Sequence, residues 1–277
     1  MEPTLARKMW RTLEPFHGFI YFSKDAVAEY AALGLEGRAG YFASRAAPMG
    51  AVTAPTVTAT FFNFDPGLVE ASMAGAWDAA SPAEVHAARL RAVDTGLRRM
   101  LGDEVLGSDE LVEALDLARV ATEGCRPEGR PLHAALAAMP EPDATHLQLW
   151  LAISVVREYR GDGHLAALLG EGVDALTALH LHAASGEVPG DLLKLTRGWG
   201  DEQWDEAGAA MVDRGLLDAD GGFTAEGAAL RQRVEDATDR MALAPWRHLG
   251  QEGSDRLREL VRPWSKAILA SGGFALR

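Results

Sequence analysis

The sequence predicts an all-α protein with small β-wings, built as tandem winged helix-turn-helix units that form a pseudo-dimer. In most segments the apolar residues recur with a spacing near 3.6, which is typical of amphipathic helices. β-Branched residues cluster only at 52–60, so few strands are expected. The chain has 277 residues, of which 48% are apolar and 24% are charged. This composition is typical of a soluble globular protein that can bury a substantial core.

Taken in order, the periodic segments predict thirteen helices, several of which begin at a capping residue. At 81–84 the order Ser-Pro-Ala-Glu places a Glu three residues after a Ser, which is the pattern of a capping box. Segment 53–64 fits either a helix or a strand, and the proline-, glycine- and charge-rich segment 123–131 predicts a linker. The predicted helices are 3–14, 24–34, 37–47, 66–78, 81–101, 108–122, 130–138, 143–159, 162–184, 188–195, 201–214, 224–241 and 252–271.

The order of elements from 186 to 271 predicts a winged helix-turn-helix. A short helix at 189–195 leads through a Gly-Trp-Gly turn into a second helix over 201–214. Residues 215–224 then predict a strand, a tight turn and a strand, because Asp-Gly-Gly accepts the positive φ of a hairpin. The string DRGLLDADGGFTAEGAALRQRVEDATDRM resembles the wing and following helix of MarR-family regulators. The resemblance implies that the closing helix at 252–271 belongs to a dimer interface.

An internal repeat extends this prediction to the first half of the chain. Residues 47–71 and 183–207, aligned without gaps at a shift of 136, share seven identities, whereas chance gives about two at usual residue frequencies. The repeat predicts an N-terminal unit over 1–122 and a C-terminal MarR-like unit over 132–277, with 53–64 holding the end of a helix and a turn. A chance match between alanine-rich helices is the alternative. A shift of 141 aligns Ala87, Ala88, Val93, Arg99 and Met100 with Ala228, Ala229, Val234, Arg240 and Met241.

The charge of the chain argues against a nucleic-acid partner. The formal net charge is −13, and a field of that sign repels phosphate backbones. The helix that would read DNA in the second unit begins DEQWDE at 201–206, and its counterpart at 66–72 has no basic residue. We therefore expect neither DNA nor a membrane as partner. Without an apolar leader or a membrane span, and with Cys125 as the one cysteine, the sequence predicts a cytoplasmic protein without an internal disulfide.

Two N-terminal clusters are candidates for a ligand site. His17 and Tyr21 lie four residues apart among aromatic residues, so on a helix they share one face. They are either a packed core pair or a ligand contact with acid–base capacity. Arg45 lies in the apolar segment GYFASRAAPMG. It either caps a helix carbonyl or clamps the carboxylate or phosphate of a ligand.

A third cluster lies near the middle of the chain. His146, Trp150 and Arg157 follow a helical spacing and share one face. The string REYRGDGH then interrupts an apolar region, with Asp162 placed to cap a following helix. The charged residues of this string either pair with one another on the surface or, together with His164, form the wall of a pocket. A metal site, if the protein has one, would use His17, His146 and His164.

Six strings resemble an actinobacterial family of helix-turn-helix-like proteins: LEPFHGFIYF, GYFASRAAPMG, VTATFFNF, REYRGDGH, LTRGWGDEQW and PWRHLG. The resemblance covers nearly the whole chain. It implies the MarR-like fold, and it brings no catalytic residues to carry over.

The leading functional prediction is a protein that binds a small anionic or aromatic molecule on a degenerate MarR-like scaffold and does not bind DNA. Arg45 and Arg157 would hold the anion. The alternatives are an enzyme of specialised metabolism with a histidine-centred pocket, and a ligand-responsive transcription regulator. No particular cofactor is predicted, and the chain is expected to be a monomer, as a pseudo-dimer, or a homodimer. The predicted ligand-binding residues are His17, Tyr21, Arg45, Asn63, His146, Trp150, Arg157 and His164.

Overall fold

Helices make up the architecture of this chain. The computed structural model describes residues 2–272, where fifteen α-helices and two 3-10 helices, Phe19–Phe22 and Ala47–Met49, are joined by turns. Gly102 and Gly250 have positive φ and break the seventh and the last α-helix into two pieces each. In chain order the α-helices are α1 Thr4–Gly18, α2 Lys24–Ala31, α3 Arg38–Ala46, α4 Ala54–Phe61, α5 Pro66–Met73, α6 Ala76–Ala79, α7 Pro82–Leu106, α8 Asp109–Glu123, α9 Pro131–Ala137, α10 Thr145–Gly170, α11 Ala175–Ala184, α12 Gly190–Arg197, α13 Asp201–Asp213, α14 Ala225–Met241 and α15 Ala244–Ala270.

Side-chain caps set where several of these helices begin. The Ser81 Oγ accepts the backbone N–H of Glu84 at 3.3 Å, and the Glu84 carboxylate accepts the N–H of Ser81 at 2.9 Å. The predicted capping box is therefore confirmed. Five further described helices start after a residue whose side-chain oxygen accepts a first-turn N–H: Ser23, Asp65, Ser108, Asp174 and Thr224.

The described chain forms two compact units. Unit 1 comprises the described parts of 1–52, 75–162 and 239–277. In it, α1 and α8 both pack along α15, and α2 and α3 pack on α7. Fully buried Met9, Phe16, Leu111 and Leu257 belong to the core of this unit. Unit 2 comprises 53–74 and 163–238. The division into 1–122 and 132–277 was predicted from the internal repeat, and it stays a prediction.

The predicted break at 160–161 is wrong, because α10 runs without interruption from Thr145 to Gly170. Buried apolar residues continue on both sides of the glycines in REYRGDGH, and their packing overrides the low helix propensity of glycine. Asp162 therefore does not cap a following helix. Its carboxylate accepts the backbone N–H of His133 at 2.9 Å, so it caps the start of α9 from a neighbouring helix.

Asp162→Asn should change how stability depends on pH. Burial raises the pKa of Asp162 to about 6, so the folded state holds this proton more tightly than the unfolded chain does. The stabilising contribution of the protonated group is complete below its unfolded pKa of about 4 and is lost as the pH rises through about 6. Asparagine keeps an acceptor for His133 without the charge. In urea unfolding, the advantage of the variant over the wild type should grow between pH 4 and 6 and then level off. A pH-independent difference between Asp162→Asn and the wild type would contradict this assignment.

In unit 2, the helix pairs α4–α5 and α12–α13 meet through their turns. The backbone N–H of Asp65 donates to the carbonyl of Arg197 at 2.9 Å, and the Trp199 indole N–H donates to the carbonyl of Asn63 at 3.0 Å. Gly198 has φ +79, and a Cβ there would lie 2.6 Å from Leu68 Cδ2. The close approach of the two turns therefore requires glycine at this position. Segment 53–64, which fitted either a helix or a strand, holds helix α4 and a turn at Phe62.

The predicted β-wing at 215–224 is reduced to a tight loop. Within residues 2–272 there is no β-strand, and Leu217 and Phe223 form one isolated antiparallel bridge. The side chain of Asp218 closes the loop, since its Oδ1 accepts the N–H groups of Asp220 at 2.9 Å and Gly222 at 2.8 Å. An aspartate that bonds its own turn satisfies donors that a longer strand pair would otherwise engage.

Gly227→Ala should destabilise unit 2. A Cβ at Gly227 would overlap the backbone carbonyl of Leu216, and a carbonyl cannot rotate away as a side chain can. We expect the free energy of unfolding to fall by about 3 kcal/mol, the upper end for overpacking. Chemical denaturation measures this loss. Gly170→Ala, at a helical glycine with nothing within 4 Å of the added Cβ, is the matched control and should be neutral or stabilising.

Within residues 2–272, no helix is both long enough and apolar enough to cross a membrane.

Candidate ligand site

Five of the eight predicted site residues come together in unit 1: His17, Tyr21, Arg45, Trp150 and Arg157. His17 lies in the last turn of α1, and Tyr21 lies in the 3-10 helix that follows. The His17 ring stacks on the Trp150 indole with centroids 5.6 Å apart. The Trp150 Nε1–H donates to the His17 carbonyl at 3.2 Å.

A directional chain of hydrogen bonds sets the tautomer of His17. The Ser154 hydroxyl donates to the Trp150 carbonyl at 2.7 Å, so its oxygen must accept from His17 Nδ1–H at 2.6 Å. His17 Nε2 then accepts the Tyr21 hydroxyl proton at 2.7 Å. Burial, followed by the charges of Arg157, Arg89 and Arg45, holds the pKa of His17 well below its usual range. His17 is therefore a neutral imidazole whose Nε2 accepts a hydrogen bond from the Tyr21 hydroxyl.

Three guanidinium groups surround the Tyr21 ring, and we call them the arginine cluster: Arg45, Arg89 and Arg157. Their Cζ atoms lie 5.1, 5.6 and 5.8 Å from the ring centroid, respectively. The three arginines come from α3, α7 and α10, so three different helices place them. Cations over an aromatic face are attracted by its quadrupole, which explains why Tyr21 lies at their centre.

Two carboxylates neutralise part of the cluster. Arg157 donates to Glu14 at 3.3 and 3.4 Å and to both oxygens of Glu158 at 3.0 Å. Arg45 Nη2 lies 3.8 Å from Glu158, and Arg45 Nη1 donates to the Tyr41 hydroxyl at 2.9 Å. The buried Arg45 thus has an anionic neighbour within the chain, Glu158, which neither the predicted carbonyl cap nor the predicted ligand clamp anticipated.

The perturbed pKa values in the cluster follow from this pairing. Burial raises the pKa of Glu158, but Arg157, Arg45 and Arg89 outweigh burial and hold it below its usual range. Burial lowers the pKa of Arg157, and Glu14 and Glu158 reverse the effect, so the pKa ends well above its usual value. Glu158 and Arg157 therefore stay ionised.

Arg89 is the cation without a carboxylate. It is 3% exposed, and it donates to the Ser44 carbonyl and to the Tyr21 hydroxyl, both at 3.2 Å. Its Nε has no hydrogen-bond partner, and no described carboxylate lies within 4.0 Å of it. Three cations against two carboxylates leave one positive charge in excess. A buried guanidinium without a paired anion is strongly unfavourable, which makes Arg89 the unusual charge of this cluster.

Sequence reasoning missed Arg89, although a signal for it was present. Val85, Arg89 and Val93 lie four residues apart, which places Arg89 on the apolar face of α7. An arginine on the buried stripe of an amphipathic helix is unusual. Arg45 was singled out as an arginine among apolar residues, and the same criterion applied to α7 would have found Arg89.

An open cleft of about 250 Å³ adjoins the cluster. Tyr21 and Ser44, the two direct partners of Arg89, line it together with Tyr30 and Tyr41. Burial raises the pKa of Tyr30, against the opposing influence of Arg89. The remaining lining residues are Ile20, Ser23, Ala26, Val27, Leu35, Gly37 and Arg38. A cavity of about 150 Å³ holds benzene, so one aromatic ring fits here with room for substituents.

The other predicted site residues lie elsewhere. His146, in unit 1, bonds Asp94 at 2.6 Å and does not touch the arginine cluster. Asn63 and His164 belong to unit 2, where Asn63 offers its carbonyl to Trp199 and His164 bonds the Thr238 hydroxyl at 2.9 Å. Among the residues that the structure describes, no three His, Cys, Asp or Glu side chains are grouped to hold a metal. Burial also raises the pKa of Cys125 to about 12, so this thiol is not activated.

Comparison with known proteins identifies one family. No curated protein and no solved structure matches the chain. The model of a helix-turn-helix family matches residues 6–275, which is nearly the entire sequence. Within that span the described residues 6–272 form helices joined by turns, among them the consecutive pairs α4–α5 and α12–α13. The chain therefore belongs to this helix-turn-helix family.

Proposed function

We propose that the protein binds a small aromatic anion in the cleft beside the arginine cluster, on a MarR-like scaffold that no longer reads DNA. The observation that carries the proposal is Arg89, a buried guanidinium without a carboxylate behind an aromatic cleft. The acid group of the ligand lies at the inner end of the cleft, towards Arg89. Its ring packs among Tyr21, Tyr30 and Tyr41, because aromatic faces provide area at low entropic cost.

Isothermal titration with benzoate tests this proposal, with benzamide as the neutral isostere. Benzoate should bind with an affinity at least about tenfold above that of benzamide, since a charge-assisted hydrogen bond to a buried guanidinium exceeds a neutral one. Native mass spectrometry of freshly purified protein should also reveal a co-purifying organic acid. Equal affinities for the two probes, or no binding of either, would refute the anion site.

The scaffold supports the proposed duplication. Helices α4 and α12 coincide under the same 136-residue shift that aligns the sequences. Positive-φ residues at turns and kinks also recur in the same order in both halves, although others such as Gly221 have no counterpart. Left-handed backbone is confined to few positions, so this order supports tandem units of a pseudo-dimer. The pairs are Gly34 and Gly172, Gly50 and Gly186, Phe62 and Gly198, Gly75 and Gly215, and Gly102 and Gly250.

Two features oppose DNA binding. Helix α13 begins with exposed Asp201 and Glu202 and continues with exposed Asp205 and Glu206, a charge that repels phosphates. The turns of both helix-turn-helix pairs also pack against each other. An electrophoretic shift assay with random duplex DNA at low salt should therefore stay negative. A salt-dependent shift would favour the alternative, a ligand-responsive transcription regulator.

An enzymatic function is the second candidate, and the bond between Tyr21 and His17 favours it. The Tyr21 oxygen accepts from Arg89 while its proton is held by a neutral imidazole, so the phenol can relay a proton at the cleft. Incubating the protein with the acid that co-purifies should then give a product by mass spectrometry. Tyr21→Phe would stop this conversion and retain binding. If the acid remains unchanged, the protein is a binder.

A further inference from the structure

His86 is a buried histidine whose ring has no partner. It lies on α7, is 6% exposed, and neither ring nitrogen makes a hydrogen bond. The seven other histidines each have a hydrogen-bond partner or a carboxylate within 4.0 Å of the ring: His17, His133, His146, His164, His180, His182 and His248. A buried polar group without a partner is rare and calls for an explanation.

The position of His86 relates it to Arg89. His86 precedes Arg89 by three residues on α7, so the two side chains share one face of the helix. Arg89 Nε is also buried and without a partner. Both ring nitrogens of His86 and Nε of Arg89 therefore lack hydrogen-bond partners on adjacent turns of α7. The guanidinium of Arg89 itself bonds Ser44 and Tyr21, which line the cleft.

We propose that His86 is a second contact for the acid group of the ligand, so that this group lies between His86 and Arg89. The inference rests on the proposed anion site. A neutral imidazole has one N–H and one lone pair. Its N–H donates to the oxygen that Arg89 Nε–H also binds, and its lone pair accepts from a hydroxyl of the ligand or from water. The site thus selects an aromatic acid by two neighbouring donors.

The electrostatics are consistent with this role. Burial, followed by the charge of Arg89, lowers the pKa of His86 to about 4. The ring is therefore neutral at pH 7 and adds no further cation beside Arg89. A neutral donor can stay buried next to the guanidinium until an anion arrives.

Benzoate titration of His86→Leu against the wild type tests the proposal. Leucine fills the space without polar atoms, so the variant should fold as stably as the wild type or more so. Its dissociation constant for benzoate should rise about tenfold, because a hydrogen bond to a charged group is lost. His133→Leu removes a buried histidine that has a backbone partner, and it should leave the affinity unchanged.

A measurement on the wild type keeps the proposal testable even if the variant does not fold. At pH 7 the ¹⁵N resonances of the His86 ring should shift on addition of benzoate, while those of His133 should not. Benzoate binding with unmoved His86 resonances, or with equal affinity for His86→Leu, would overturn this inference and leave the anion site standing. Absence of benzoate binding to the wild type would overturn both.

Discussion

Arg89→Leu is expected to weaken benzoate binding about 100-fold, because removing one partner of a buried charge pair costs several kcal/mol of binding free energy. Stability should not fall. The variant removes a buried cation that no carboxylate neutralises, and an apolar replacement for buried charge is often neutral or stabilising. We therefore expect the free energy of unfolding to be unchanged or about 1 kcal/mol higher. Calorimetric titration and urea unfolding give the two values.

The proposed repeat supplies the reason for choosing leucine. The 141-residue shift aligns Arg89 with Leu230, which is 4% exposed. The aligned position is thus filled by leucine in the second half. Arg91→Leu is the matched control, since Arg91 lies on the same helix but is exposed and paired with Glu29. It should leave benzoate affinity intact. A large loss of stability with unchanged affinity in Arg89→Leu would instead show that Arg89 supports the fold and not a ligand.

Trp150→Ala should have the largest effect on stability, a loss of about 3–5 kcal/mol in the free energy of unfolding. Trp150 is fully buried, stacks on His17, and lies beneath Arg89, whose Cζ is 5.0 Å from the ring centroid. The substitution leaves a cavity and also removes the surface against which the charged cluster is ordered. Guanidinium unfolding followed by circular dichroism measures the loss.

Trp150→Phe separates the two roles of the indole. Phenylalanine retains most of the buried apolar area and loses the N–H that donates to the His17 carbonyl. We expect a loss of about 1–2 kcal/mol, the effect of a missing buried hydrogen bond together with a small packing defect. Benzoate should still bind, because none of the three arginines is altered. A loss for Trp150→Ala no larger than for Trp150→Phe would contradict a packing role for Trp150.

Much of the helical architecture could be predicted from the chain. The capping box at Ser81 and the helices around it follow from neighbours within four residues, and so does the helix-turn-helix order near the C-terminus. The failed prediction for Asp162 depends on a distant contact, because this residue caps α9 instead of its own helix. The failed prediction of a wing depends on local bonds, because Asp218 closes the loop at 217–223 and leaves a single bridge.

The candidate site also has features that could be predicted from the sequence and features that only the tertiary structure decided. The spacing of His17 and Tyr21 predicted a shared helical face, and Arg45 could be recognised as an arginine in an apolar segment. The spacing of Trp150 and Arg157 likewise predicted one shared face. Only the tertiary structure decided that these residues meet around one ring, that Glu14 and Glu158 neutralise two cations, and that Arg89 remains as the third. Spacing along a helix determines which residues share a face. Which faces meet depends on the packing of α1, α3, α7 and α10. The apolar pattern of a helix shows which face is buried, but it does not show which other helix packs against that face.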